Sequence, residues 1–200
     1  MHVIYINYHY NPKTKSTEDF FEYHKDKIEF YSHITQSGID KVTIIQRAPF
    51  SNKTVLSNIN CYFIKDEFNP EIRWCDKPVK VHTTAAALEP DVVHMYSLDL
   101  PIHYRWLRKT VGYRTLILGQ HTGEKKWLQR TLWLQQFGLR VVNGFIFEKR
   151  RDANPWHKAA VILTKQPVYP IAGINKNSKK AAEQLVKIYH KIIAHKIHEK

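Results

Sequence analysis

Apolar residues along the chain alternate between short β-rich runs and longer stretches with helical spacing. "HVIYINY" (2–8) predicts a first strand. Ser16 or Thr17 caps a predicted helix reaching about Ser37, with Phe20, Phe21, His24, Ile28, Tyr31 and Ile34 on one face and Gly38 at its end. "KVTIIQR" (41–47) and "INCYFIK" (59–65) are the next strands. "KPVKVHTTAAALE" (77–89) reads as a helix and "PDVVHMY" (90–96) as a strand. "PIHYRWLRKTVG" (101–112) is a helix with Pro101 in its first turn and Gly112 at its end. "RTLILGQH" (114–121) is a strand, "EKKWLQRTLWLQQFG" (124–138) a helix closed by Gly138, and "VNGFIFEK" (142–149) the last clear strand.

Repeated strand–helix–strand units with apolar strands predict an α/β fold. It is a doubly wound, mostly parallel Rossmann-like sheet with helices on both faces. Ligands of such sheets bind outside the carboxyl ends of the strands. That rule selects the loops Tyr8–Thr17, after Arg47, after Lys65, Tyr96–Pro101 and Gly119–Glu124. The C-terminal part differs. "QPVYPIAGINKNSKK" (166–180) is rich in proline, asparagine and lysine and reads as a linker. Beyond it, Ala182, Leu185, Val186, Tyr189, Ile192 and Ile193 form an amphipathic stripe that must pack on something. The expected organisation is one domain over 1–165, a linker over 166–177 and a helix over 178–200 that packs back on the domain.

Charge changes this picture. The net charge is −2 over residues 1–100, +9 over 101–158 and +6 over 159–200. A basic half invites an anionic partner: nucleic acid, an acidic membrane surface or a phosphorylated ligand. A solubilising surface is the plainer alternative. The start of the chain lacks the basic-then-apolar form of a signal peptide, and no apolar run nears the roughly 20 residues that span a bilayer. Cys61 and Cys75 have no metal-site spacing. A cytoplasmic setting is expected, with the inner face of the membrane as a place of contact.

The strand-end loops carry the candidate chemistry. His121 lies between Gly119 and Gly123, with Thr122 beside it and Glu124 where a helix is predicted to begin. His121 there can touch a substrate hydroxyl, and Glu124 can help shape the pocket; a turn histidine and a helix-start charge are the plain alternative. In "HMYSLDLP", His94, Tyr96, Ser97 and Asp99 reach another strand end, but no G-x-S-x-G elbow makes Ser97 a nucleophile. The first loop lacks the G-x-G-x-x-G phosphate fingerprint, yet Asn11, Lys13, Lys15 and Ser16 can hold an anion at a helix start. Lys125, Lys126, Trp127, Arg130 and Trp133, with Arg105 and Arg108, make a basic aromatic region suited to an anionic membrane interface, or simply to packing with a solvated basic side. The twelve histidines show no H-E-x-x-H spacing, so no metal or other cofactor is expected.

Three stretches carry a family resemblance. "LEPDVVHMYS" (88–97), "LILGQHTGE" (116–124) and "VNGFIFEKRRDANPWHKAAVI" (142–162), with Pro155 and Trp156 in register in the last, resemble the N-terminal half of GT-B glycosyltransferases, close to glycosyltransferase family 4. The resemblance covers about residues 1–171. It implies the acceptor-side domain of a retaining hexosyltransferase that uses a nucleotide-sugar as co-substrate, with a glycan or lipid-linked acceptor and a donor-binding domain opposite. His121 would then contact the donor sugar, and without that second wall it should face solvent. The family's glycines after the first strand are absent here, and so is its paired-glutamate donor motif. "SKKAAEQLVKIYHKII" (178–193) resembles the family's final helix, which crosses back to the first domain. The resemblance thus implies a donor domain excised between Ile171 and Ser178 and a chain that turns over poorly alone. A non-catalytic basic binding module for anionic membrane or nucleic acid is the alternative; of the two, nucleic acid is disfavoured because no recognised motif for it is present.

Overall fold

The computed structural model describes residues 1–123 and 132–198, with the side chains of 196–198 apart. Its elements are β1 (His2–Asn7), α1 (Thr17–Tyr23), α2 (Lys25–Gln36), β2 (Lys41–Arg47), β3 (Asn52–Leu56), β4 (Ile59–Ile64), α3 (Val79–Ala87) and β5 (Val92–Tyr96). They continue with α4 (Pro101–Val111), β6 (Leu116–Gln120), α5 (Leu132–Leu139), β7 (Gly144–Phe147), α6 (Asn154–Lys158), β8 (Val168–Pro170) and α7 (Lys179–His198). The eight strands form one sheet in the order β3-β4-β2-β1-β5-β6-β7-β8, parallel except where β3 meets β4.

Side-chain alternation on β1 divides the core. Val3 and Tyr5 pack beneath Phe20, Tyr31, Leu185 and Tyr189 of α1, α2 and α7. Ile4 and Ile6 belong to the opposite layer, with Val81, Leu107, Leu139 and Trp156 of α3, α4, α5 and α6. Helices thus cover both faces, as the apolar strands predict. The last helix does pack back on the sheet. Its Tyr189 is fully buried, and the hydroxyl lies 2.7 Å from Tyr5 Oη and 2.6 Å from His94 Nδ1.

Four local expectations change. The first predicted helix is two, breaking at His24, whose backbone leaves helical geometry (φ −114°, ψ 28°). The segment before β4, read as a loop, contains β3, joined to β4 through Ser57 and Asn58 with φ of 49° and 65°. Two successive left-handed residues make the hairpin turn whose twist suits a two-residue connection. The stretch read as a linker contains β8, and its buried Gln166 donates to the carbonyls of Leu139 and Val142. Pro167 and Pro170 fit there because β8 is an edge strand with one side free of ladder bonds. Gly138 does not close its helix, which runs on to Leu139.

Candidate functional site

The winding reverses between β1 and β5, because β2 and β4 lie to one side of β1 and β6, β7 and β8 to the other. A crevice opens at such a switch point, at the carboxyl ends of the strands. The loops after β1, β5 and β6 therefore frame the candidate site, bringing His9, Asn11, Ser97, Asp99 and His121 to one sheet edge.

The first loop is fixed from below. Arg47, at the end of β2, is fully buried; it pairs with Asp66 at 2.7 Å and donates to the carbonyls of Tyr8, Phe68 and Asn69. One guanidinium thus ties together the loops after β1 and β4. Asn11 accepts from the Lys13 amide at 3.0 Å, and Lys13 and Lys15 are exposed. The Asp19 carboxylate accepts from the amides of Lys15 and Ser16, while Ser16 Oγ caps Asp19 N. The helix start read as an anion site therefore already holds a carboxylate of its own chain.

The loop after β5 is equally constrained. Ser97 has φ of 72°; its hydroxyl donates to Asp99, and its carbonyl accepts from Tyr104 Oη at 2.9 Å. Ser97 shapes a turn. His9 sits across from it: the crowded edge desolvates the ring and lowers its pKa, Asp99 and Glu71 oppose that shift, and Arg47 reinforces it.

His94 points into the layer beneath α7. Its ring is fully buried between Tyr5 and Tyr96, and desolvation lowers its pKa to about 3, with Gln120 as its opposing hydrogen-bonding neighbour. It is a core group and not a pocket wall. Tyr96 is half-buried, with Lys27 Nζ 5.4 Å above its ring. His121 follows β6, and its amide donates to Ile146 O at 2.9 Å. Its ring stacks on Phe147 at 5.0 Å and meets the edge of Trp156 at 5.5 Å. It is only 9% exposed, so it does not face open solvent as expected. Thr122 and Gly123 beside it are exposed, and Gly123 takes φ of 94°.

The basic aromatic region is redrawn. Arg108 is 4% exposed, and its guanidinium donates to the carbonyls of Gly112, Thr115 and Val141 and to Asn143 Oδ1. It is an internal rivet at the far end of α4, and cannot belong to a surface patch. Arg105 is half-buried, 3.7 Å above the Phe137 ring. Trp133 is 66% exposed. Glu124, Lys125, Lys126, Trp127 and Arg130 lie outside the described residues.

The fold is similar to that of sucrose-phosphate synthase. A piece of this enzyme from Thermosynechococcus elongatus, described with the bounds 27, 220, 406 and 426, matches with a TM-score of 0.60. The match covers 96% of this chain and 99% of that one at 12% identity. A longer chain of the same synthase matches with a TM-score of 0.51 at 12% identity, over 85% of this chain and 48% of that one. This chain therefore spans about half the length of the longer synthase chain. At such identity the likeness establishes the fold. No protein-family model matches the sequence, and no curated protein does.

Against this fold, sequence reasoning passed over Arg47, Gln120 and His9. Gln120 donates to Asn175 at 3.1 Å and so links the end of β6 to the turn before α7. Arg47 ends a predicted strand, Gln120 is the last residue but one of another, and His9 follows a third. The strand-end rule alone could have drawn them out. No described helix is long and apolar enough to cross a membrane.

Proposed function

We propose that this chain is the acceptor-side half of a nucleotide-sugar-dependent glycosyltransferase that builds a glycan, polysaccharide or glycolipid, with retention at the sugar carbon. The observation that carries the reading is the fold likeness to a synthase piece over nearly the whole of both chains. The bounds of that piece read as two segments, the second one short. A sheet domain completed by a single returning helix has the same plan, with α7 as the return. In this reading a donor-binding domain belongs between Ile171 and Ser178, and residues 1–171 and 178–198 are the two contributions to one half.

Within the proposed site, His121 and the exposed Thr122 and Gly123 meet the sugar end, and His9, Asn11 and Asp99 hold acceptor hydroxyls; Glu124, next in the sequence, is assigned to the same loop. Lys13 and Lys15 offer charge at the rim, and Tyr96 supplies a ring at the switch point. The contribution of such a half is positioning and charge stabilisation, and the packing of His121 on Phe147 and Trp156 serves that role by fixing one ring orientation. Nucleotide-sugar hydrolysis and transfer assays on the 200-residue chain should show negligible turnover. Robust turnover would overturn the half-site reading.

A second reading is supported by one surface. Trp133 and Phe137 of α5 are exposed beside Arg105, an arrangement suited to an anionic membrane interface. It predicts flotation with anionic liposomes that weakens as salt rises; the glycosyltransferase reading accommodates the same contact as an approach to a lipid-linked acceptor. A nucleic-acid shift at two salt levels should be negative.

A further inference from the structure

A groove of about 1090 Å³ runs along the β8 edge of the sheet, away from the switch point between β1 and β5. Its floor includes Leu116 and Asn143, at or just before the amino ends of β6 and β7. It follows the β8 edge between α6 and the last turns of α7. Arg150, Lys165 and Lys191 line it, together with His157 and His195. Among the described residues, none of its lining is acidic.

The floor adds to this charge from behind. Asn143 Oδ1 is turned inward, accepting from the Ile117 amide at 2.8 Å and from Arg108. Its amide NH2 is therefore the end left for the groove. The Arg108 guanidinium behind it is buried, and the oxygens it bonds are carbonyls and the Asn143 amide oxygen, none of them a carboxylate. A buried cation with only dipolar partners projects its positive potential to the nearest surface, here through Asn143. Gln166 stiffens the wall: its amide donates to Leu139 O and Val142 O, and its oxygen accepts from Leu163 N.

Three cations from three separate segments line one concave site of about the size that takes a small ligand. We propose that this groove binds a small molecule carrying two or more phosphate groups, at a site separate from the strand-end crevice. A concave site of this volume suits a compact polyphosphate better than a flexible polymer. The inference stands apart from the glycosyltransferase reading, since the groove follows the β8 edge and the crevice lies at the β1–β5 switch point, and either can fail alone.

The test is calorimetric titration of the whole chain with inorganic pyrophosphate, paired with amide NMR. One saturable site is expected, with shifts centred on Asn143, Lys165 and Gln166. Lys165→Glu and Lys191→Glu should each weaken binding by at least about tenfold, the equivalent of one charge-assisted hydrogen bond. Both residues are exposed, so the variants should keep the wild-type circular dichroism spectrum. Lys25→Glu on the exposed side of α2 makes the same charge change and should leave the affinity unaltered. Equal weakening by Lys25→Glu, or unsaturable heat, would overturn the proposal by showing only general charge attraction. Binding to phosphatidic-acid vesicles or to RNA, lost in Lys191→Glu but without a pyrophosphate site, would overturn it in favour of a polymeric or membrane partner.

Discussion

At Gly138 and Gly119 the missing side chain is a packing requirement. A Cβ on Gly138 would lie 2.2 Å from Pro101 O, where α5 crosses the start of α4. In an exposed helix, alanine in place of glycine gains about 0.5–1 kcal/mol. Here Gly138→Ala should instead destabilise by about 1–3 kcal/mol, because backbone must move to admit it. Urea unfolding reads the sign, and a gain in stability would sink the argument. Gly119 is tight in another way, its virtual Cβ lying 2.7 Å from Leu98 Cδ2 and 2.9 Å from Tyr104 Oη. Arg108 makes a sharper case. Arg108→Lys keeps a charge but loses the planar fork that reaches four oxygens, so several buried acceptors lose their donor. A loss of about 2 kcal/mol or more in unfolding free energy is expected. None of this is visible in the sequence, where Arg108 looks like any other member of a basic helix.

Among the elements, α7 bears most on the fold. Its apolar stripe was legible as an amphipathic helix needing a partner, and the structure supplies one in Tyr5, Tyr31 and His94. The polar side of that contact was not legible: Tyr189 Oη reaches both Tyr5 Oη and His94 Nδ1 inside the buried layer. Tyr189→Phe leaves both partners buried with one hydrogen bond fewer, and should cost about 1–3 kcal/mol. Limited proteolysis should then cut α7 away faster than in the wild type. Unchanged cleavage together with unchanged stability would show that the helix is only loosely attached. The two strands that escaped notice are the two sheet edges. β3 carries an exposed Val55, and β8 is three residues long and ends in Pro170, so neither shows the apolar run of a buried parallel strand. Edge strands pair on one side only and tolerate polar and proline residues, which removes the signal that period-2 reading depends on.

For the molecule as a whole, burial of histidine sets the response to acid. Desolvation lowers His82 and His94 to about 3, with His103 and Lys77 adding to the effect at His82. The unfolded chain takes up these protons near the ordinary histidine value, so between about 3 and 6.5 it binds more protons than the fold does. Stability is therefore fully present above about pH 6.5 and falls as pH drops toward 3. Each of these two groups should remove about 2 kcal/mol between pH 8 and pH 5. Denaturation midpoints measured across that range should decline, and His94→Gln should flatten the slope. A flat profile in the wild type would mean that the two rings are hydrated in the fold.

The order of apolar runs, their lengths and their punctuation by glycine and proline determined the α/β class, the parallel core strands and the existence of a returning helix. Those features follow from local periodicity, which every residue carries independently of its distant neighbours. Which strand ends share an edge was decided only in three dimensions, because the order β4-β2-β1-β5-β6 depends on pairing between segments far apart in the chain. The same holds for charge. Arg47 and Arg108 have the composition of surface residues and the environment of core residues, since carbonyls and a carboxylate brought from other elements replace their water. His94 lies within one predicted strand and His121 ends another, yet the pleat of β5 turns His94 beneath α7, while His121, just past β6, lies on Phe147 and Trp156. The alternation of a strand fixes that two faces exist. What each face meets is set by the helices that cover it.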